Sequence, residues 1–272
     1  LKFLVMAAVI SVGIFVTVAC MGVQKTGVFS DTAENDPETT IAQQEEDHAD
    51  ADSDHSMEKT EEIEDEIDEI ESQEPMGSAM LEGVPHIQQM PELARGCEVT
   101  SLAMMLQHAG VSVDKMTLAK EIKTIPFRDK NGVRGNPYDG FVGDIYTFEK
   151  SGLGVYHGPI ADLARTYLPD RIIDLTGESI ESVYRMLEKG FPVWVIINSR
   201  FAPLPESEFA IWDTASGQVK ITYREHSVLI VGYDDESIYF NDPLAAQPYT
   251  AVPRENFEKA WVQMGSQAIS YQ

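Results

Sequence analysis

The sequence predicts an α+β fold for residues 77–272, with a helical lobe packed on an antiparallel sheet. Three observations carry that prediction. Helical patterns fill the first part of this segment. Two hairpin patterns fill the later part. No period of roughly 20–50 residues recurs, which argues against a solenoid or a propeller. Helices first and antiparallel strands later is the order expected of segregated α and β layers.

Each element has a local reason. VPHIQQMPEL (84–93) is interrupted by proline and reads as extended. GCEVTSLAMMLQHAG (96–110) is an amphipathic helix that Gly110 can close. Asp114 can cap a second helix over 115–123. Residues 124–158 are rich in Pro, Gly, Asn and Asp and read as a long, partly helical loop. Residues 159–167 and 179–189 read as helices. IIDL (172–175) and PVWVIINS (192–199) read as strands, the second apolar enough for burial on both faces. WDTASGQVKITYRE reads as a hairpin turning at Ser216–Gly217. HSVLIVGYDDESIYFNDPL reads as a second hairpin turning near Asp234–Ser237, and a last helix fits 254–263.

The chain has 272 residues and a net charge of −25, from 20 basic and 45 acidic residues. That polyanion disfavours nucleic acid or an anionic membrane surface as a general partner. Two cysteines exclude a disulfide scaffold and a four-thiolate zinc site. The charge divides the chain into three regions: 1–25, 26–76 and 77–272. Residues 3–23 carry no charge over 21 positions, long enough to cross a bilayer as a helix. Lys2 before it and acidic sequence after it place the remainder outside the cytoplasm. A cleaved signal and a lipoprotein signal with Cys20 lipidated are the alternatives, and all three export the rest. The favoured reading is a cell-membrane anchor with the 77–272 domain extracellular. Residues 26–75 hold 20 Asp/Glu against Lys59 alone and read as a disordered acidic spacer. Within it, Ile63, Ile67 and Ile70 have helical spacing but are too few for a coiled-coil seam. His48 and His55 there form no specific metal site.

Cys97 is the one cysteine of the 77–272 region, and it opens a helix. Helix N-terminal amides favour an anion, so the position should lower the thiol pKa. A nucleophilic thiol needs a base and a group to orient that base. His108 lies at the far end of the same helix, about 16 Å away by helical rise, and is excluded. His226 begins the apolar strand SVLIVGY, and Asp242 ends its partner strand. With the turn centred on Asp235, residue 228 pairs with 242, and 226 shares that face. A two-residue turn would flip the parity, so a bulge or an odd-length loop is required. Glu98 is expected to face away from the thiol, since helical neighbours point about 100° apart. His157 reads as structural, with no acid partner evident. Asp139 and Asp144 read as turn formers.

VPHIQQMPELARGCEVTSLAMML and EHSVLIVGYDDESIYFNDPL resemble the double-glycine-peptidase-like (bacteriocin-leader-processing-like) cysteine peptidases of the papain-like superfamily. The resemblance covers roughly residues 80–272. Its motifs are a Gln, then Gly-Cys-Glu at a helix start, then Glu-His-Ser-Val, then Asn-Asp-Pro. GNPYDGFVGD (135–144) and VYHGPI (155–160) resemble the free-standing extracellular branch. No ATPase motif or multi-span membrane domain of the leader-processing transporters follows. The resemblance implies a papain-like α+β fold, with the Cys on the helical lobe and the His and Asp on the sheet. It implies Cys97 as nucleophile, His226 as base, Asp242 as orienting acid and Gln89 as oxyanion-hole side chain. Gln88 and Gln89 alternate in direction if extended, so only one can face the thiol.

The expected activity is hydrolysis of a peptide or amide bond through a thioester, with no metal and no organic cofactor. The substrate would be a peptide or protein, cell-wall peptide being one candidate. The alternatives are a non-catalytic module that binds peptide or wall polymer, and an acyltransferase using the same triad.

Overall fold

The computed structural model describes residues 77–272. The uncharged segment with Cys20, and the acidic segment with its isoleucines and histidines, lie outside the described residues. Among the described residues, no helix is long and apolar enough to cross a membrane.

One antiparallel sheet organises the domain. Its strands run in the order β10 (Thr250–Pro253), β9 (Ser237–Asn241), β8 (Glu225–Tyr233), β5 (Val193–Asn198), β11 (Ala268–Tyr271) and β4 (Ile172–Asp174). A short β1 (Ala79–Met80) pairs with the end of β8. Strands β5 and β8 are buried at almost every position, which is why both read as unbroken apolar runs.

Helices cover both faces, so the sheet is a middle layer rather than a separate lobe. Leu229 and Val231 of β8 share a core with Leu102 and Met105 of helix α1 (Cys97–His108). Leu118 of α2 (Lys115–Glu121) and Ile160 of α3 (His157–Tyr167) complete that side. The alternate positions Val228 and Ile230 pack with Val183 of α4 (Ile180–Glu188) and Phe257 and Trp261 of α5 (Arg254–Gln263). Helix α1 is buried from Cys97 to Leu106. Each large apolar side chain it hides contributes on the order of 1.5–3 kcal/mol. Asp114 caps α2 as expected, its Oδ1 accepting from the Thr117 amide at 2.7 Å.

Several elements differ from the sequence reading. The 124–158 stretch forms no helix until His157. It contains the short parallel pair β2 (Thr124–Ile125) and β3 (Phe141–Val142). The first hairpin, β6 (Phe209–Thr214) with β7 (Gly217–Thr222), turns at Ala215–Ser216, because Thr214 pairs with Gly217. The C-terminal β11 lies inside the sheet between β5 and β4.

The second hairpin carries the site, and its register is the one required. Leu229 pairs with Asn241 and Ile230 with Phe240, so the next step sets Val228 opposite Asp242. The turn is tight: the Asp234 amide donates to the Ser237 carbonyl at 3.0 Å. A bulge between Ile230 and Gly232 restores the parity that this turn would have flipped.

Candidate active site

Helix α1 begins at Cys97 with no side-chain cap. Gly96 precedes it because nothing larger fits: a Cβ there would come within 2.5 Å of Leu93. The Cys97 amide belongs to the first turn, where N–H groups have no partner within the helix. Two bonds fix α1 to the sheet. Ser101 Oγ donates to the Ser227 carbonyl at 3.1 Å, and Trp194 Nε1 donates to the Glu98 carbonyl at 3.0 Å.

His226 and Asp242 meet as the register demands, with His226 Nε2 at 2.8 Å from Asp242 Oδ1. Asp242 Oδ1 also accepts from the Leu244 amide at 2.8 Å. Burial would raise the Asp242 pKa, but the hydrogen bond and charge of His226 outweigh it, and the carboxyl sits below its usual range. Phe201, in a left-handed backbone conformation at φ 52°, packs its ring 6.0 Å from the His226 ring. With Nε2 occupied, Nδ1 is the nitrogen left to take a proton.

Gln89 and Gln88 part as the alternation predicts. Gln89 is 3% exposed and lines the cleft, whereas Gln88 is exposed and donates from Nε2 to the Ala245 carbonyl. Gln89 Nε2 donates to the carbonyls of Leu93 and Ala94, at 3.2 and 3.3 Å. Its Oε1 is buried without a hydrogen-bond partner. Asn241 holds this segment in place: its Nδ2 donates to the Val84 and Pro85 carbonyls at 3.3 and 3.0 Å. The Gln89 amide donates to the Pro243 carbonyl at 2.9 Å. The Asn-Asp-Pro motif thus orients His226 through Asp242 and carries Gln89 through its two neighbours. His86 adds a contact with the Asp242 carbonyl at 3.0 Å, which sequence reading missed.

Gln89, Cys97, Glu225 and His226 line one cleft of about 230 Å³, with Phe148 and Leu244 among the other lining residues. Phe148 and Leu244 are exposed, at 68% and 54%. The 143–152 loop reaches the cleft through Arg95, whose guanidinium donates to the carbonyls of Asp144 and Thr147 and lies over the Phe148 ring.

Two expectations about the thiol are corrected. Cys97 is buried at 7% exposure, and burial pushes its pKa well above the ordinary thiol range. The charges of Glu98 and Glu225 add to that shift, and a bond from the Ser227 backbone opposes it without reversing it. The resting thiol's pKa is therefore raised, not lowered. Glu98 does not face away: its Oε2 accepts from Cys97 Sγ at 3.2 Å, and its Oε1 accepts from the Val155 amide at 2.8 Å. The 100° rule failed because Glu side chains are long enough to fold back over their own helix start.

The remaining candidates lie elsewhere. His108 bonds Tyr271 Oη at 2.6 Å. His157 does have an acid partner, Asp174 on β4, at 2.8 Å. Burial raises the Asp174 pKa, but bonds from His157 and Thr176 bring it down to about 2, a stabilising structural pair. Asp144 accepts the Tyr146 and Thr147 amides in a turn, and Asp139 accepts from Ser216.

The model of the Peptidase_C39 like family matches residues 81–269. A curated relative, the uncharacterized protein YvpB of Bacillus subtilis, is 51% identical over 182 residues, covering 67% of this chain and 71% of that protein. The crystal structure of a Bacillus anthracis protein assigned as a C39-like peptidase superposes with a TM-score of 0.71. It is 60% identical and covers 72% of this chain and 98% of that one.

Proposed function

This chain belongs to the Peptidase_C39 like family, and from that premise we propose that it cleaves a peptide or amide bond with Cys97 as nucleophile, His226 as base and Asp242 as orienting acid. The observation that carries the reading is the 2.8 Å His226–Asp242 pair opening onto the cleft that also holds Cys97. Asp242 accepts the Nε2–H bond and selects the tautomer in which Nδ1 is the base. The thiol proton passes to Nδ1 as Sγ attacks the carbonyl carbon. The Cys97 amide and Gln89 Nε2 meet the oxyanion, one Gln89 N–H leaving its long carbonyl contact to do so. The tetrahedral intermediate collapses, His226 protonates the leaving amine, and a thioester remains. Water, deprotonated by His226, then releases the acid.

The test is a diverse peptide library incubated with wild type and with Asp242→Ala. Wild type should cleave a subset of it. Asp242→Ala should fold and turn over roughly 10²- to 10⁴-fold more slowly, because the imidazole loses its tautomer and its orientation. Asp242→Asn, which can still accept the ring N–H, should recover part of the rate. Unchanged turnover in Asp242→Ala would remove the orienting role from this residue. Binding without cleavage by wild type would favour a non-catalytic peptide-binding module.

We further propose that the domain works outside the cell, held at the membrane by residues 3–23 and spaced from it by the acidic tract. The uncharged segment and the 20 acidic residues of 26–75 support this. Protease added to intact cells should release a fragment containing residues 77–272. Digestion only after lysis would contradict the proposed orientation.

A further inference from the structure

Two carboxyl groups stand beside the Cys97 thiol, and the reaction above uses neither. Glu98 is completely buried, with one oxygen on Cys97 Sγ and the other on the Val155 amide. Glu225 opens β8 and lines the cleft, and its Oε1 is shielded from solvent with no hydrogen-bond partner. Cys97 Sγ and one oxygen of each carboxyl lie within 4.8 Å of one another. Gly154 makes this clustering possible, since a Cβ there would come within 2.5 Å of both carboxyl groups.

Two neighbouring buried carboxyls cannot both ionise freely near neutrality. Burial, and then the charge of Glu98, raises the Glu225 pKa well above the usual carboxylate range. Burial raises Glu98 to about 7, against the opposing bonds from its own amide, Val155 and Cys97. Glu98 accepts bonds from Val155 and Cys97 whereas Glu225 Oε1 accepts none, so Glu98 is the member that gives up its proton more readily. The other titratable groups around the pair are His226 on β8 with Asp242 behind it, Tyr156 before α3, and Arg95 before α1. Tyr156 stays neutral, its pKa raised by burial first and by both carboxyls. Arg95 is engaged with backbone carbonyls of the 143–152 loop.

We propose that Glu98 is a positioning residue that holds the resting nucleophile as a thiol: its carboxylate takes the S–H hydrogen bond, and neutralising it frees Sγ for His226. This rests on Cys97 being the nucleophile. The protons balance simply. Glu98 gains one from water, and the thiol then gives its own to His226 Nδ1. Above the Glu98 transition neutral Glu98 grows scarcer with each pH unit, and because the thiol proton goes to His226 and not to solvent, the reactive thiolate grows scarcer with it.

The experiment is the rate of Cys97 alkylation by iodoacetamide between about pH 5.5 and 9, followed on the Cys97 peptide by mass spectrometry in the full chain. The wild-type rate should fall above about pH 7, approaching tenfold per pH unit as neutral Glu98 is lost. Glu98→Gln keeps the shape and the acceptor for Val155, and its rate should hold level over the same range, exceeding wild type more than about tenfold at pH 8.5. A wild-type rate that does not fall between about pH 7 and 9, or a variant within twofold of wild type throughout, would overturn the proposal. Should the variant not fold, the infrared carbonyl band of protonated carboxyl groups in wild type decides. Partial loss of that band between about pH 6 and 8 supports the proposal, and a constant band overturns it. Alkylation needs no turnover, so failure of the peptidase reading would leave this result intact and recognisable.

Discussion

Replacing Cys97 by Ala is expected to lower amide hydrolysis by at least about 10⁴-fold, because a covalent route has no substitute once its nucleophile is gone. The domain should stay folded. The side chain is small, and α1 is held by Leu102, Met104, Met105 and Leu106, all fully buried. The thiol is also the donor to buried Glu98 Oε2, so the variant leaves that oxygen without it. A buried group that loses its partner costs about 1–3 kcal/mol, seen as a lower Tm. Cys97→Ser retains a donor and should lose activity with a smaller fall in Tm. Circular dichroism, a thermal melt and kcat/KM on one cleaved peptide measure all three quantities. A folded Cys97→Ala variant with more than a few per cent of wild-type turnover would place the chemistry on another residue.

Replacing Gln89 by Ala is the second large effect, and it separates catalysis from thiol reactivity. Acyl transfer develops charge on the former carbonyl oxygen, whereas alkylation by iodoacetamide develops none there. Gln89→Ala should therefore slow hydrolysis by roughly 10²- to 10³-fold, about 2.7–4 kcal/mol of transition-state stabilisation. Alkylation of Cys97 should stay within a few-fold of wild type. Gln89 Nε2 also bonds the Leu93 and Ala94 carbonyls, just before the Cys97 helix. The alkylation rate and the Tm distinguish the two roles: loss of the Leu93 and Ala94 bonds would disturb the Cys97 helix start and change both, whereas loss of the oxyanion donor slows hydrolysis alone. Gln88→Ala should change neither rate, as that side chain is exposed and bonded to Ala245. Loss carried by Gln88, or by neither glutamine, would mean that the cleft has no side-chain oxyanion donor of this kind.

The elements nearest the chemistry were the most legible in the sequence. A 3.6-residue pattern after Gly-Cys places Cys97 at a helix start. The period-2 pattern of β8 and β9, with its parity, brings His226 to Asp242 and calls for a bulge or an odd-length loop; the structure has the bulge, at Val231. These sequence signals are local or span one hairpin. The less legible parts depend on long-range placement. Nothing within Ala268–Tyr271 indicates insertion between β5 and β4, and the helices' division between two faces of the sheet is likewise a tertiary outcome. The His157 partner and the distant partner of Glu98 were missed for the same reason. Asp174 lies 17 residues from His157, and Val155 lies 57 residues from Glu98. Glu225 was overlooked because strand alternation points it away from His226. Yet β8 starts at the cleft, and both residues line it.

The proposed reaction passes through a thioester at Cys97, and partitioning tests for it most directly. Two cleaved peptides with the same acyl portion and different leaving amines are turned over in the presence of hydroxylamine. A shared acyl-enzyme predicts hydroxamate and free acid in one ratio for both substrates, whatever the leaving group, with neither product formed by Cys97→Ala. A ratio that changes with the leaving amine, or release of acid with no hydroxamate at any hydroxylamine concentration, would contradict a covalent intermediate on Cys97.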